Sequence, residues 1–261
     1  MKLPYYEVSA FTATAFGGNP AGVCPLEAWL PDSVLQGIAA NNNLAETAFT
    51  VPRGSDFDLR WFTPTVEMDL CGHATLAAAS VLFNERGLAG GEVRFHSRSG
   101  VLTVTRSGDM LTLDFPSCPP RPSDVPDALI RGLGATPNEA FKTRDYLAVY
   151  STEDEVRALE PDFATLKTLD CLGIIVTAPG KDCDFVSRFF APGAGVDEDP
   201  VTGSAHCTLI PFWASRLAKT KMLARQVSTR GGELLCELAG ARVRIGGRVA
   251  PYLRGEIQIP E

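Results

Sequence analysis

An internal repeat is the sequence feature that most limits the folds open to this chain. The stretches LRWFTPTVEMDLCGHATLAAA and VSRFFAPGAGVDEDPVTGSAHCTL both run Arg-aromatic-Phe-x-Pro, then an acidic loop, then Gly-(His or Ser)-Ala before an apolar run. Arg60 and Arg188 are 128 positions apart, whereas Gly72 and Gly203 are 131 apart, so the second loop is three residues longer. The alternative to a true repeat is that two short apolar motifs resemble each other by chance. The shared order of strand, acidic loop and helix favours two similar α+β halves around a shared cleft.

Composition and charge narrow the class of protein. The chain has 261 residues, 45% hydrophobic and 21% charged, which is ordinary for a globular protein of one large or two smaller domains. Its formal charge of −7 and lack of a Lys/Arg cluster argue against nucleic-acid binding. No apolar run reaches the roughly 18 residues of a membrane span, and the N-terminus lacks a signal-peptide pattern. Seven scattered cysteines without a CxxC pair indicate free thiols, so we expect a cytoplasmic protein.

Short apolar runs and turn signals outline the organisation. We predict strands throughout each half, a hairpin turning at RSGD, and four helices, over 31–43, 72–87, EDEVRALEPDFATLKTL (153–169) and TGSAHCTLIPFWASRL (202–217). The segment PSCPPRPSDVP is rich in proline and disfavours both helix and sheet. The predicted domains are therefore residues 1–118, a linker over 119–126, and residues 127–261, leaving open that the last strand packs back on the first half.

The two predicted helix starts could bind an anion. The first N–H groups of a helix lack partners and carry partial positive charge, and the glycines Gly72 and Gly203 would let a ligand approach closely. Two such starts, one in each half, could hold a small carboxylate from both sides. The alternative is simple capping of the helices by Asp69 or Thr202.

Carboxylates near these helices are candidates for acid/base chemistry. Three acidic residues, Asp197 to Asp199, precede the second helix, and they cannot all be caps. Glu46 begins the predicted strand ETAFTV in an otherwise uncharged stretch. An apolar surrounding would raise the pKa of such a carboxyl group, which suits a general acid/base. A solvent-facing glutamate at the strand end is the competing interpretation.

Metal and cofactor sites find little support in the sequence. Cys71, His73, His206 and Cys207 could supply zinc ligands, but their spacing differs from the usual paired pattern. The stretch GGNPAG lacks the lysine and the serine or threonine of a phosphate loop, and no nicotinamide or flavin fingerprint follows a strand. We therefore predict neither a metal nor a cofactor.

Four motifs together resemble the phenazine-biosynthesis isomerase-like (PhzF-like) family. They are GGNPAGVCPL, NNNLAETAF, RWFTPTVEMDLCGHATLAAA and DEDPVTGSAH, in the family's order and over most of the chain. The resemblance implies the diaminopimelate epimerase-like fold: two α+β domains, each with a curled mixed sheet around a central helix and the active site in the cleft between them. It also implies that the repeated helices are the two central ones, and it suggests a homodimer.

The resemblance assigns roles to individual residues. Glu46 would shuttle the proton, His73 and Asp199 would help to hold the substrate, and Gly72, Gly203 and Ser204 would supply binding contacts. The implied reaction is a cofactor-free isomerisation of a small, carboxylate-bearing cyclic amino-hydroxy acid. The second motif carries no cysteine, so the two-thiol chemistry of the related epimerases is not expected. A non-catalytic small-acid binding protein and a related epimerase or lyase are the alternatives.

Overall fold

The computed structural model describes residues 1–259, which form two compact units. The first unit contains Met1–Asp114 together with the described residues from Gly246 onward, and the second contains Phe115–Ile245. The predicted linker, residues 119–126, thus lies inside the second unit. The C-terminal segment, which we had placed in the second half as part of 127–261, belongs to the first unit.

The first unit begins with eight strands and two helices in the described residues. In chain order they are β1 (Lys2–Ala10), β2 (Asn19–Pro25), α1 (Asp32–Asn42), β3 (Glu46–Arg53), β4 (Asp56–Phe62), β5 (Glu67–Met68), α2 (Gly72–Asn84), β6 (Glu92–Ser97), β7 (Gly100–Ser107) and β8 (Met110–Pro116).

These strands form a mixed sheet. β1 and β2 are antiparallel, β2 and β3 are parallel, and β3 and β4 are antiparallel. β4 continues in parallel to β6, which pairs antiparallel with β7, and β7 with β8. The β7–β8 hairpin turns at RSGD as predicted, with Ser107 opposite Met110 and Gly108 at a φ of 63°.

Helix α2 is the centre of the first unit. Its residues from His73 to Phe83 are all buried, and it packs against β1, β2, β3 and β7. A helix that is apolar on every side is stable only when it is enclosed, and the run of alanines lets the strands approach closely. The helix ends at Asn84, short of the predicted residue 87, and Gly87 follows with a φ of 69°.

The second unit repeats this mixture of strands and helices. Its elements are β9 (Arg121–Ser123), α3 (Asp127–Leu133), β10 (Glu139–Lys142), β11 (Tyr146–Val149), α4 (Glu153–Ala158), α5 (Phe163–Leu166), β12 (Ile174–Pro179), β13 (Phe185–Phe190), a 3-10 turn (Pro192–Ala194), α6 (Gly203–Leu217), β14 (Lys221–Gln226), β15 (Gly232–Ala239) and β16 (Arg242–Gly247).

Two proline-containing segments of the second unit differ from the prediction. Within the proline-rich stretch, β9 pairs with β10 through Pro122 opposite Phe141, so proline sits in a short strand rather than in an unstructured linker. The single helix predicted over EDEVRALEPDFATLKTL is divided into α4 and α5. Pro161 stands between them, and a proline disfavours helical backbone at the residue before it.

Helix α6 is the central helix of the second unit. It packs against β14 and β15, and the Trp213 ring stacks on Phe185 of β13 at 5.7 Å. β12 and β13 are antiparallel, while β11–β12 and β13–β14 are parallel pairs. Pro211 lies inside the helix and has no N–H for the Cys207 carbonyl four residues earlier. The Cys118 N–H donates to that carbonyl instead, at 2.9 Å.

The last strand returns to the first unit. β17 (Val249–Gln258) runs antiparallel to β1, from Val249 opposite Ala10 to Gln258 opposite Lys2. β1 therefore lies between β2 and β17. No helix in the described part of the chain is long and apolar enough to cross a membrane.

The repeat extends to side chains. In the first unit, Arg60 binds both carboxylate oxygens of Glu67 at 2.7 and 2.8 Å and lies over a phenylalanine two residues later, 5.1 Å from the ring centre. In the second, Arg188 binds Glu198 at 2.8 and 3.0 Å, again over the phenylalanine two residues later, at 4.9 Å. A bidentate pair of this kind fixes the acidic loop on the strand that precedes it.

Candidate active site

Glu46 lies where the first sheet meets its central helix. It is the first residue of β3 and stands opposite Ala21 of the parallel strand β2. Its side chain is 15% exposed, so the carboxylate is largely withdrawn from water yet reachable. The interpretation of Glu46 as a solvent-facing strand-end residue is therefore wrong.

His73 faces this carboxylate from the first turn of α2. Its side chain is 6% exposed, and its Nε2 atom lies 3.1 Å from Glu46 Oε2. The distance suits an ion pair, but the geometry does not make a hydrogen bond, and neither atom has another hydrogen-bond partner in the described residues. A buried polar atom without a partner is costly, so both atoms retain capacity for a bound ligand.

The other ring nitrogen of His73 has two neighbours. Asn19 Nδ2 lies 3.2 Å from Nδ1, and Cys71 Sγ lies 3.5 Å from the same atom. Asn19 is the first residue of β2 and is fully buried. The imidazole is thus held between β2 on one side and Glu46 on the other.

The electrostatics favour a charged imidazole. Burial lowers the pKa of His73, but interactions with Cys71 and Glu46 outweigh this and hold it well above its usual value. Burial raises the pKa of Cys71 to about 11, so this group is a neutral thiol near pH 7. The raised pKa favours a protonated His73 ring beside the Glu46 carboxyl group, which places a proton next to that group.

The donor atoms of Glu46, Cys71 and His73 lie within 4.8 Å of one another, the separation expected of metal ligands. The cysteine, however, adjoins Nδ1 of the imidazole, whereas the glutamate adjoins Nε2. One ion bonded to either nitrogen at about 2 Å could not also reach the ligand beside the other nitrogen without rearrangement. The geometry fits proton transfer better than a three-ligand metal centre.

The start of α6 carries the predicted residues of the second unit. Thr202 Oγ1 donates to Asp199 Oδ2, while the Thr202 N–H donates to Gln226 Oε1 at 2.8 Å. Gln226 in turn donates to the Asp199 carbonyl at 2.7 Å. Gly203 and Ser204 are the first residues of the helix, directly after this network.

Side-chain capping does not explain either helix start. Cys71 and Thr202 are the N-cap residues of α2 and α6, and neither makes a capping hydrogen bond with its side chain. Asp69 is 81% exposed and its nearest cationic partner is Arg98, at 3.9 Å. Capping by the side chain of Asp69 or Thr202 therefore does not account for these helix starts.

The structure brings together only some of the predicted residues. Glu46, Gly72 and His73 adjoin one another in the first unit, whereas Asp199, Gly203 and Ser204 belong to the second. Asn19, Cys71 and Gln226 contact predicted site residues but were not singled out from the sequence as part of the site. The sequence feature that could have pointed to Asn19 is its position in GGNPAG, where a polar residue stands at the start of an apolar strand without an evident role in a turn.

Comparison with known proteins places this arrangement in a family. The sequence profile described as "Phenazine biosynthesis-like protein" matches residues 8–255. A Pseudomonas aeruginosa protein named an uncharacterized isomerase is 52% identical over 259 residues, covering 99% of this chain and all of the relative. A crystal structure of a PhzF family protein from Enterococcus faecalis has a TM-score of 0.98 at 49% identity, covering 99% of this chain and all of that one.

A more distant structure shows how widely the fold is shared. The probable proline racemase of Agrobacterium radiobacter, solved with bound carbonate, has a TM-score of 0.66 at 12% identity, with 99% of this chain and 93% of that one covered. The fold is the predicted α+β, epimerase-like fold of two units, each with a mixed sheet and a central helix. By its sequence and its structure, the chain belongs to the phenazine biosynthesis-like protein family.

Proposed function

We propose that this protein is a cofactor-independent isomerase that moves a proton between two carbons of a small carboxylate-bearing metabolite, with Glu46 as the acid/base. The observation that carries the proposal is the Glu46 carboxylate beside buried His73, at 3.1 Å, with hydrogen-bonding capacity to spare. The names of the relatives, which include isomerases, support the reaction class.

The proposed reaction needs one group to take and return the same proton. The Glu46 carboxylate accepts a proton from a substrate carbon, and the electron pair left behind delocalises into the adjacent unsaturated system. The neutral carboxylic acid then returns the proton to a second carbon on the same face. His73, as an imidazolium, stabilises the carboxylate before the transfer and can donate to a polar group of the substrate.

The helix starts supply the proposed binding contacts. Gly72 and Gly203 begin α2 and α6, where backbone N–H groups and the helix dipole favour a negative charge. Asp199 and Ser204 would hold the amino or hydroxyl groups of a cyclic amino-hydroxy acid. Asp199 is kept in place by Thr202 and Gln226.

Deuterium exchange tests the role of Glu46. The unmutated protein, incubated in heavy water with cyclic amino-hydroxy acids, should incorporate deuterium at carbon, and Glu46→Gln should slow this by about 10²–10⁴-fold. Glu85→Gln is the matched control, because Glu85 lies at the far end of α2 in an ion pair with Arg254. If Glu46→Gln exchanges deuterium as fast as the unmutated protein, Glu46 is not the acid/base.

A small-acid binding protein is the second candidate. The unfilled hydrogen-bonding capacity at Glu46 and His73 would serve binding as well as catalysis. This function predicts that titration calorimetry detects an acid bound equally by the unmutated protein and Glu46→Gln, while neither exchanges deuterium.

A further inference from the structure

Asn19 is fully buried, and its amide lies beside Nδ1 of the His73 ring, on the side away from Glu46. An imidazole can present Nε2 to Glu46 only if its ring orientation is held from the Nδ1 side. Asn19 belongs to β2, which pairs with β3, the strand that begins with Glu46. This pair of strands therefore supplies one neighbour to each ring nitrogen, in addition to Cys71 beside Nδ1.

The chemistry of an amide distinguishes Asn19 from other partners. A carboxylate can only accept a hydrogen bond and so would favour the imidazolium, whereas a side-chain amide has both donor and acceptor atoms. Neutral His73 with its proton on Nε2 needs a donor at Nδ1, which Asn19 Nδ2 supplies at 3.2 Å. Imidazolium needs an acceptor there, which Oδ1 of the same amide supplies after rotation about its last side-chain bond.

We propose that Asn19 is a positioning residue that directs Nε2 of His73 toward Glu46 and partners Nδ1 in either protonation state of the ring. Among the described titratable groups, Glu46 from β3 and Cys71 from the turn before α2 are those that interact with His73. The thiol is neutral near pH 7, with a pKa of about 11. Asn19 therefore allows His73 to lose and regain a proton without turning away from the carboxylate.

Nuclear magnetic resonance of the histidine side chains tests this without any substrate. The chain has three histidines, so His73, His96 and His206 can be assigned by single substitutions. Asn19→Asp preserves shape and should raise the titration midpoint of His73 by at least about one pH unit. Asn19→Leu should lower it and populate both neutral tautomers.

Two controls make the result specific. Asn42→Asp adds the same charge at α1, where Asn42 donates to Thr47 next to Glu46, and it should leave the His73 tautomer unchanged. The signals of His96 and His206 report whether each variant is folded. If Asn19→Leu does not fold, the near-isosteric Asn19→Asp still decides. A His73 midpoint that stays within about 0.3 pH units in Asn19→Asp overturns the proposal.

The effect of Asn19 on catalysis rests on the proposed isomerase function and is measured in a separate assay. In the deuterium-exchange assay, Asn19→Asp should lower kcat and flatten the pH profile while changing KM little. If the Asn19 variants shift the His73 titration midpoint but no protein, including the unmutated one, exchanges deuterium, the result contradicts the proposed isomerase and supports the role of Asn19. If the Asn19 variants lose deuterium exchange while the His73 titration midpoint is unchanged, the result contradicts the role of Asn19.

Discussion

The two units share a scaffold but differ where the acid/base would stand. Arg60 lies opposite Phe49 in the first sheet, and Arg188 lies opposite Val176 in the second. Glu46 lies three residues before Phe49, and the corresponding position, three residues before Val176, is 173, directly before β12. That position is a glycine, and a Cβ atom there would overlap the Phe189 ring. The repeat preserves the scaffold, but at this position the second unit has no room for a carboxylate side chain.

The central helices differ in a similar way. Their fourth residues, Thr75 and His206, both donate to the carbonyl four residues earlier, at 2.5 and 2.8 Å. Their second residues are His73 and Ser204. Burial without a charged partner lowers the pKa of His206 to about 4. In contrast, interactions with Cys71 and Glu46 hold the pKa of His73 above its usual value. The neutral form of the histidine ring is thus favoured in the second unit and the protonated form in the first.

Removing the arginine of each unit should have the largest effect on stability. Arg188 also donates to two carbonyls of the α4 region, at 3.2 and 2.8 Å, and its side chain is 12% exposed. Arg188→Met would leave Glu198 unpaired and should cost about 4 kcal/mol. Arg60→Met should cost about 2 kcal/mol, because Glu67 keeps Arg98 at 2.6 Å. Urea denaturation measures both, and equal losses would contradict the asymmetry.

Adding a side chain at Gly173, the counterpart of Glu46 in the second unit, should have the next largest effect on stability. Gly173→Ala should cost about 3 kcal/mol, because the added methyl group overlaps the Phe189 ring in a packed interior. Gly193→Ala is the matched control in the same unit, since a Cβ there meets no atom within 4 Å. If the two variants unfold at the same urea concentration, position 173 is not closed as described.

The lowered pKa of His206 predicts a loss of stability in acid. Between pH 6.5 and pH 4 the unfolded chain binds a proton that the folded chain excludes, so stability falls as the pH is lowered through this window. The loss from pH 7 to pH 5 should be about 2 kcal/mol larger in the unmutated protein than in His206→Gln. Urea titrations at the two pH values measure it, and identical pH dependence would show that His206 titrates normally.

Neutralising the exposed acid before the first central helix should have the smallest effect. Asp69 is 81% exposed, so Asp69→Asn should change stability by no more than about 0.5 kcal/mol. It should also leave deuterium exchange unchanged, whereas Asp199→Asn should slow exchange. Equal effects of the two substitutions on exchange would remove the distinction between the two acidic loops.

The repeat made much of the architecture predictable. The shared Arg-aromatic-Phe pattern and the glycines before apolar runs located β4, β13 and the helices α2 and α6, because these motifs carry local conformational preferences. That these helices are the central ones was predicted from the family resemblance. Glu46 and His73 were proposed separately, but their contact depends on how β3 and α2 pack. Asn19 was missed because only the β2–β3 pairing brings it to the ring. The linker and the α4–α5 break were mispredicted where proline entered a strand or divided a helix.

The pairing of β17 with β1 has a consequence for synthesis on the ribosome. β17, the partner of β1, is made only after all the other described helices and strands. At typical rates of translation, β1 waits on the order of ten seconds or more for that partner. The second unit is continuous in sequence and has no such delay. The unit that carries Glu46 and His73 is therefore expected to mature after its neighbour, with one edge of its sheet unpaired until β17 has been made.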